Sequence, residues 1–135
     1  MLAAILAEKI KRVLVVVPNK LLRDQTYDRA RSWGILRKIG CVDSCVLNPN
    51  TLCLKSAFKD FESFETIVES SNIIVSTMSL VSKMSKEQIE CLSAKCDLLV
   101  VDEAHHISSK TWREFKREFL NKKILQFTAT PYRQD

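Results

Sequence analysis

Four short apolar runs punctuate the chain: Val13–Val17, Asn72–Ser76, Leu98–Val101 and Ile124–Phe127. They are β-branched or aliphatic and do not alternate with polar residues. That pattern predicts parallel strands covered on both faces. The stretches between them carry helical spacing. Lys20–Trp33 follows Asn19, a good N-cap, and runs to Gly34, a good stop. Phe58, Phe61 and Ile67–Val68 mark the apolar stripe of a second helix. Ser85 and Gln88 fit a capping box opening a short helix toward Cys91. Trp112, Phe115, Phe119 and Leu120 recur at helical intervals, so Lys110–Leu120 reads as a helix with an aromatic core face. Residues 40–56 are the least regular, with Asn48-Pro49-Asn50 as a turn and a short strand around Cys45–Leu47. Strand and helix alternating at this spacing predict an α/β fold, a parallel sheet with helices on both faces.

Length and composition narrow the class. The chain has 135 residues, 46% hydrophobic and 27% charged, which suits one globular domain. There are only two glycines, Gly34 and Gly40, so neither a G-x-x-x-x-G-K-[ST] loop nor a G-x-G-x-x-G turn exists within it. The apolar runs are far shorter than the ~20 residues of a membrane span. No signal-peptide pattern opens the chain. An intracellular location is therefore expected, without a membrane partner. Five cysteines, an odd number, point to free thiols in a reducing compartment. Cys41-x3-Cys45 and Cys91-x4-Cys96 with His105 and His106 can be drawn as a zinc site. The usual C-x2-C pairs are absent, and buried small hydrophobes are the plainer reading.

Charge is uneven. Residues 1–40 carry nine Lys/Arg against three Asp/Glu, a net of +6, and residues 110–123 carry six against two, a net of +4. Residues 60–69 hold four acids and no base. Two basic stretches suit a polyanion such as nucleic acid, and equally suit ordinary solvated faces.

Each apolar run ends in residues able to do chemistry: Pro18-Asn19-Lys20, Ser76-Thr77, Asp102-Glu103-Ala104-His105-His106, and Thr128-Ala129-Thr130-Pro131. In a parallel sheet these four ends share the carboxyl edge, where open α/β sheets bind ligands. A carboxylate such as Asp102 at a strand end can hold Mg²⁺ facing a nucleotide's phosphates, and Glu103 can act as general base on a water. The plainer role for both is to cap the helix that follows. His105 and His106 can carry protons, couple hydrogen bonds or bind metal. Thr128 and Thr130 can bridge to neighbouring carboxylates or simply end a strand. Asn19 and Thr77 each precede a helix, whose N-terminus either grips a phosphate or is merely capped. Lys20 and Arg23 add positive charge beside Asn19.

These residues resemble superfamily-two helicases. Val100–His105 reads as the DEAH form of the Walker B motif, motif II. Phe127–Arg133 looks like motif III in its TATP form. Val13–Gln25 looks like motif Ia and Ile73–Thr77 like motif Ib. The combination is most similar to the branch containing the type III restriction helicase subunit and related DNA translocases. Four motifs in order cover nearly the whole chain.

The resemblance implies a partial RecA-like P-loop NTPase domain over residues 1–135, working with ATP and Mg²⁺. Asp102 would coordinate the Mg²⁺ and Glu103 would polarise the attacking water. His105 would couple the nucleotide site to motif III, and Thr128 and Thr130 would link hydrolysis to strand movement. Pro18, Asn19, Lys20 and Thr77 would lie along a nucleic acid, DNA rather than RNA. Leu2–Ile10 resembles the helix that follows motif I, whose strand and phosphate-binding loop are missing. The second RecA-like domain is missing as well, and would be a partner within a longer parent. In the family the motif III strand lies between those of motifs I and II. Ile124–Phe127 is therefore expected as an exposed edge prone to self-association, and the fragment alone is expected to be inactive. Two other readings compete: a non-catalytic nucleic-acid-binding remnant, and a metal-dependent hydrolase using Asp102, Glu103, His105 and His106.

Overall fold

The computed structural model describes residues 10–103 and 109–128. In chain order the elements are β1 (Val13–Val17), α1 (Lys20–Ala30), α2 (Ile35–Lys38), β2 (Thr51–Cys53), α3 (Phe61–Glu69), β3 (Ile73–Thr77), α4 (Met78–Val81), α5 (Lys86–Lys95), β4 (Leu98–Asp102), α6 (Ser109–Glu118) and β5 (Lys123–Phe127). Among the described residues the sheet has five strands, ordered β2-β3-β1-β4-β5, and every pairing is parallel.

Strand alternation splits the core in two. Leu14, Val16, Ile74, Leu99 and Val101 point to one face, where Phe64 and Val68 of α3, Leu92 of α5, and Phe115 and Phe119 of α6 and its end cover them. Val13, Val15, Val17, Ile73, Val75, Leu98 and Val100 point to the other, where Ala30, Leu22 and Tyr27 of α1 pack. Helices thus lie on both faces of a parallel sheet, as expected, because β1 and the bodies of β3 and β4 before their polar ends are apolar on both faces.

Local details differ from expectation. Helix α1 ends at Ala30, three residues before Trp33. The reversal is made by Trp33 and Gly34, at φ +61° and +50°. A Cβ on Gly34 would come within 3.1 Å of the Arg29 carbonyl oxygen, so glycine is required there. Cys45–Leu47 is not a strand. The chain turns there, with Val46 N–H donating to Asp43 O at 3.1 Å. The short strand is Thr51–Cys53, and Asn48-Pro49-Asn50 leads into it rather than turning. Asn50 is fixed by reciprocal bonds to Asn72, whose Oδ1 accepts from Asn50 N–H at 3.0 Å and whose N–H donates to Asn50 O at 2.7 Å. On α3 the core residues are Phe64 and Val68; Phe61 is exposed, and Phe58 lies before the helix, edge-on to Phe64 at 5.6 Å. Leu120 is exposed because α6 stops at Glu118. The Ser85–Gln88 capping box forms as its spacing requires.

Arg12, counted above with the basic stretch, faces inward. Its guanidinium donates to the carbonyls of Glu69 at 2.7 Å, Ser71 at 2.9 Å and Lys95 at 2.9 Å. It thereby satisfies carbonyls at the ends of both α3 and α5, where the helix dipole favours a cation. Lys95 adds ion pairs to Glu69 and to Glu65. Arg37 similarly ties down the 43–48 loop through Val46 O at 2.8 Å and Asn48 Oδ1 at 3.0 Å, and Trp33 Nε1 donates to Leu47 O at 3.0 Å.

The cysteines divide. Cys91 and Cys96 are buried, Cys53 is half-buried, and Cys41 and Cys45 are exposed in the loop after α2. The expectation that Cys41, Cys45, Cys91 and Cys96 are buried is corrected for Cys41 and Cys45, because the irregular loop buries little. Burial pushes the Cys96 thiol up to about 12 and also raises Cys91. No helix among the described residues is long and apolar enough to cross a membrane.

Two predictions follow from this packing. Arg12→Met lowers unfolding stability by about 2–3 kcal/mol, and Arg12→Lys does not restore it, since one ammonium cannot span three carbonyls. Urea midpoints measure both. Brief alkylation of the native protein at pH 8 modifies Cys41 and Cys45 and spares Cys91 and Cys96, as peptide mass spectrometry reads out.

Candidate active site

The parallel register brings the strand ends into one row. Val17 of β1 stands opposite Thr77 of β3, Val16 opposite Val101 of β4, and Asp102 opposite Phe127 of β5. At about 4.8 Å per strand, the ends of β3, β1, β4 and β5 span roughly 15 Å of one edge. The described residues that follow these runs therefore leave the sheet at the same edge.

The β4–β5 corner is the most specialised part of that row. Asp102, half-buried, closes β4. Glu103 turns the chain with φ +54°, a left-handed conformation uncommon for a non-glycine residue. Its N–H donates to Phe127 O at 2.8 Å, which extends the ladder one step past the strand. Glu103 and Thr128 thus sit at adjacent strand exits, tied through the Phe127 carbonyl. A backbone turned against its preference and held by a neighbouring strand is the kind of strain that gathers at functional sites. The sequence contained no signal for it, since Glu is not a residue expected at positive φ.

The donors offered here are oxygens, which suit a hard cation such as Mg²⁺. Among the described residues no three His, Cys, Asp or Glu side chains gather at one point. An ion here would rest on one or two carboxylates completed by phosphate oxygens and water, the usual habit of Mg²⁺. His105, His106 and Thr130 lie outside the described residues, as do Leu2–Lys9 of the expected first helix. The zinc grouping does not assemble from its described members, because Cys41 and Cys45 lie in an exposed loop while Cys91 and Cys96 are core residues of α5 and its end.

At the β1 exit, Pro18 is half-buried and Asn19 and Lys20 are exposed. Asn19 Oδ1 accepts from Leu22 N–H at 2.9 Å, so its side chain caps α1. Arg23 does not add charge to this edge. It is buried and paired with its neighbour Asp24 at 3.0 Å, whose carboxyl it holds below the usual range. Thr77 is buried, and its hydroxyl accepts from Leu80 N–H at 3.3 Å, capping the four-residue α4. The structure therefore gathers Asp102, Glu103 and Thr128 in one corner, with Asn19 and Lys20 further along the edge. Of the basic residues before position 40, Arg12, Arg23 and Arg37 serve internal bonds, which sequence charge counting could not separate from surface charge.

Comparison with known proteins bears on the family. Residues 1–133 match the family model described as "Type III restriction enzyme, res subunit". Among curated proteins the chain is similar to RNA polymerase-associated protein RapA of Histophilus somni, 27% identical over 130 residues, covering 93% of this chain and 12% of that protein. It is also similar to RapA of Vibrio parahaemolyticus, 29% identical over 135 residues, covering 94% of this chain and 13% of the relative. The chain thus spans about an eighth of the length of these relatives. The parallel sheet and the family match give one answer: the chain belongs to the type III restriction enzyme res subunit family, ATP-dependent helicases and translocases of superfamily two with a RecA-like P-loop NTPase fold.

Proposed function

We propose that these 135 residues are the Mg²⁺-binding and coupling part of the first RecA-like motor domain of a longer, intracellular, DNA-translocating ATPase. The observation that carries this reading is the β4–β5 corner. There Asp102, the turned Glu103 and Thr128 meet through the Glu103 N–H···O=C bond to Phe127. Bound Mg-ATP supplies the reactive phosphoryl group and a cation that neutralises its charge. Asp102 would hold the cation from the strand end. Glu103 would act as general base, taking a proton from the water that attacks the terminal phosphate. Thr128, joined to the same backbone bond, senses displacement of that corner, with Thr130 and His105 as its proposed partners in coupling. Pro18, Asn19, Lys20 and Thr77 lie along the strand of DNA, where Lys20 and the α1 amides meet phosphate without reading sequence.

Within the longer motor, Glu103→Gln lowers DNA-stimulated ATP turnover by about 10²–10⁴-fold while nucleotide binding persists. Asp102→Ala weakens Mg²⁺-dependent nucleotide binding itself. Undiminished turnover in Glu103→Gln would contradict the assignment. Salt-sensitive DNA binding with no nucleotide response in either the parent or Asp102→Ala would favour the non-catalytic reading instead. The 135 residues alone, which contain no G-K-[ST] loop, hydrolyse ATP negligibly.

The β5 edge belongs to the same proposal. Ile124, Leu125 and Phe127 lie along a partly exposed outer strand, and in the isolated chain this edge pairs with a second copy. Sedimentation velocity across a concentration series shows association that grows with concentration. A species that stays monomeric throughout would contradict it.

A further inference from the structure

The helical layer over Leu14, Leu99 and Val101 is graded in charge. Helices α3, α5 and α6 lie side by side in that order. Helix α3 carries Glu62, Glu65 and Glu69 and no base. Helix α5 carries both signs, and its Lys95 pairs with Glu65 and Glu69. Helix α6 carries Lys110, Arg113, Lys116 and Arg117 against Glu114 and Glu118. The layer is therefore acidic at its α3 side and basic at its α6 side.

The helical step places each base on α6. Trp112, Phe115 and Phe119 face the sheet. At about 100° per residue, Lys110, Arg113 and Arg117 fall within roughly 60° of one another on the opposite side. All three are exposed. Glu114 and Glu118 fall on the flank toward α5, where both line an open hollow with Met84 and Ile89. Glu114 stands a turn from Lys110 and Arg117 and lowers the charge of the outward face, but leaves it positive. Lys116 sits on the far flank, over the Trp112 ring at 5.9 Å. Beyond the helix Lys122 and Lys123 continue the basic run into β5. Burial thus inverts the charge count: Arg12, Arg23 and Arg37 serve internal bonds, while the bases of α6 stand outward.

The same face favours one kind of polyanion. An acidic protein needs an apolar anchor as well as charge. The outward face of α6 offers none, since Trp112 and Phe115 turn to the sheet. Phosphate contacts need only charge and reach. Lys110 and Arg117 stand about 10 Å apart along the axis, roughly three nucleotides at ~3.4 Å each.

We propose that the outward face of α6 is a second nucleic-acid contact, where Lys110, Arg113 and Arg117 grip phosphates without reading sequence. Helix α6 leads from the β4 exit back to the start of β5, so a backbone lying on it leaves the row of strand exits. The acids of α3 confine it to the α6 side. The choice of nucleic acid rests on the translocase reading above; the place rests on the charge of α6.

The test titrates a short fluorescent DNA duplex of mixed sequence with the 135-residue chain across a salt series. Lys110→Gln/Arg113→Gln/Arg117→Gln weakens binding about ten-fold or more at low salt. It also lowers the slope of log affinity against log salt by about 2–3, at ~0.9 per lost contact. Lys20→Gln, at the strand exits, lowers the slope by about 1 on its own. Circular dichroism confirms that the variants fold. Location is read without any variant: bound DNA shields Lys110 from acetylation and leaves Lys59, beside α3, reactive. A folded triple variant with the full salt slope, a Lys110 acetylated equally with and without DNA, or no DNA binding would overturn the proposal. A silent Lys20→Gln beside a weakened triple variant would remove the strand-exit contact and leave this one standing. Polyglutamate that displaces DNA at equal charge concentration would overturn the choice of ligand and assign the face to an acidic protein.

Discussion

The parallel register of the sheet is the constraint on which everything else rests. Because β1, β3, β4 and β5 all run the same way and end within a residue of one another, their exits fall on one edge. A one-residue slip of β5 would invert Ile124 and Leu125 between faces and separate Phe127 from Asp102. It would also remove the carbonyl that holds Glu103 in its left-handed turn. The chemistry of the edge is thus secured by the apolar pattern of the strands, which fixes the register. The strained residue at the corner is paid for by core packing two to four residues away.

The opposite edge of the sheet has its own fastening. Arg12 enters β1 and takes the terminal carbonyls of α3 and α5 in one guanidinium fork. Asp97, before β4, reciprocates by accepting from the N–H groups of Lys11 and Arg12, both at 3.1 Å. Chain segments far apart in sequence are joined there by polar bonds at one corner of an apolar core. Helices anchored at that end are free to present their other ends to the working edge. The polar residues are thus divided between the two edges, those at the amino end fastening the helices to the sheet.

Much of this was legible in the amino-acid sequence. Val13–Val17 is a strand with those bounds, Leu98–Val101 and Ile124–Phe127 each fall one residue short at one end, and Asn72–Ser76 is shifted by one residue at both ends. Continuous β-branched runs have few alternatives to a buried parallel strand. The capping box at Ser85 was legible because its two bonds are local. Thr51–Cys53 was not, since three half-buried residues at an edge have no periodicity to read. The inward turn of Arg12, Arg23 and Arg37 was hidden for a different reason. A charge count weighs every arginine alike, while Arg12 bonds to carbonyls up to 83 residues away, Arg37 to the loop that follows it, and Arg23 to the carboxylate of its neighbour Asp24. The row of Asp102, Glu103 and Thr128 could be placed on one edge from spacing alone. The φ of Glu103 and its bond to Phe127 depend on tertiary pairing, and no local pattern encodes them.

The central claim is that Mg-ATP sits against the β4–β5 corner. The most direct measurement is to replace Mg²⁺ by Fe²⁺ in the nucleotide complex of the longer motor, and map where locally generated hydroxyl radicals cut the chain. The account predicts nucleotide-dependent cleavage beside Asp102–Glu103 and beside Phe127–Thr128, suppressed by excess Mg²⁺. Cuts confined to other parts of the chain, with this corner intact under saturating Fe²⁺ and ATP, would contradict it.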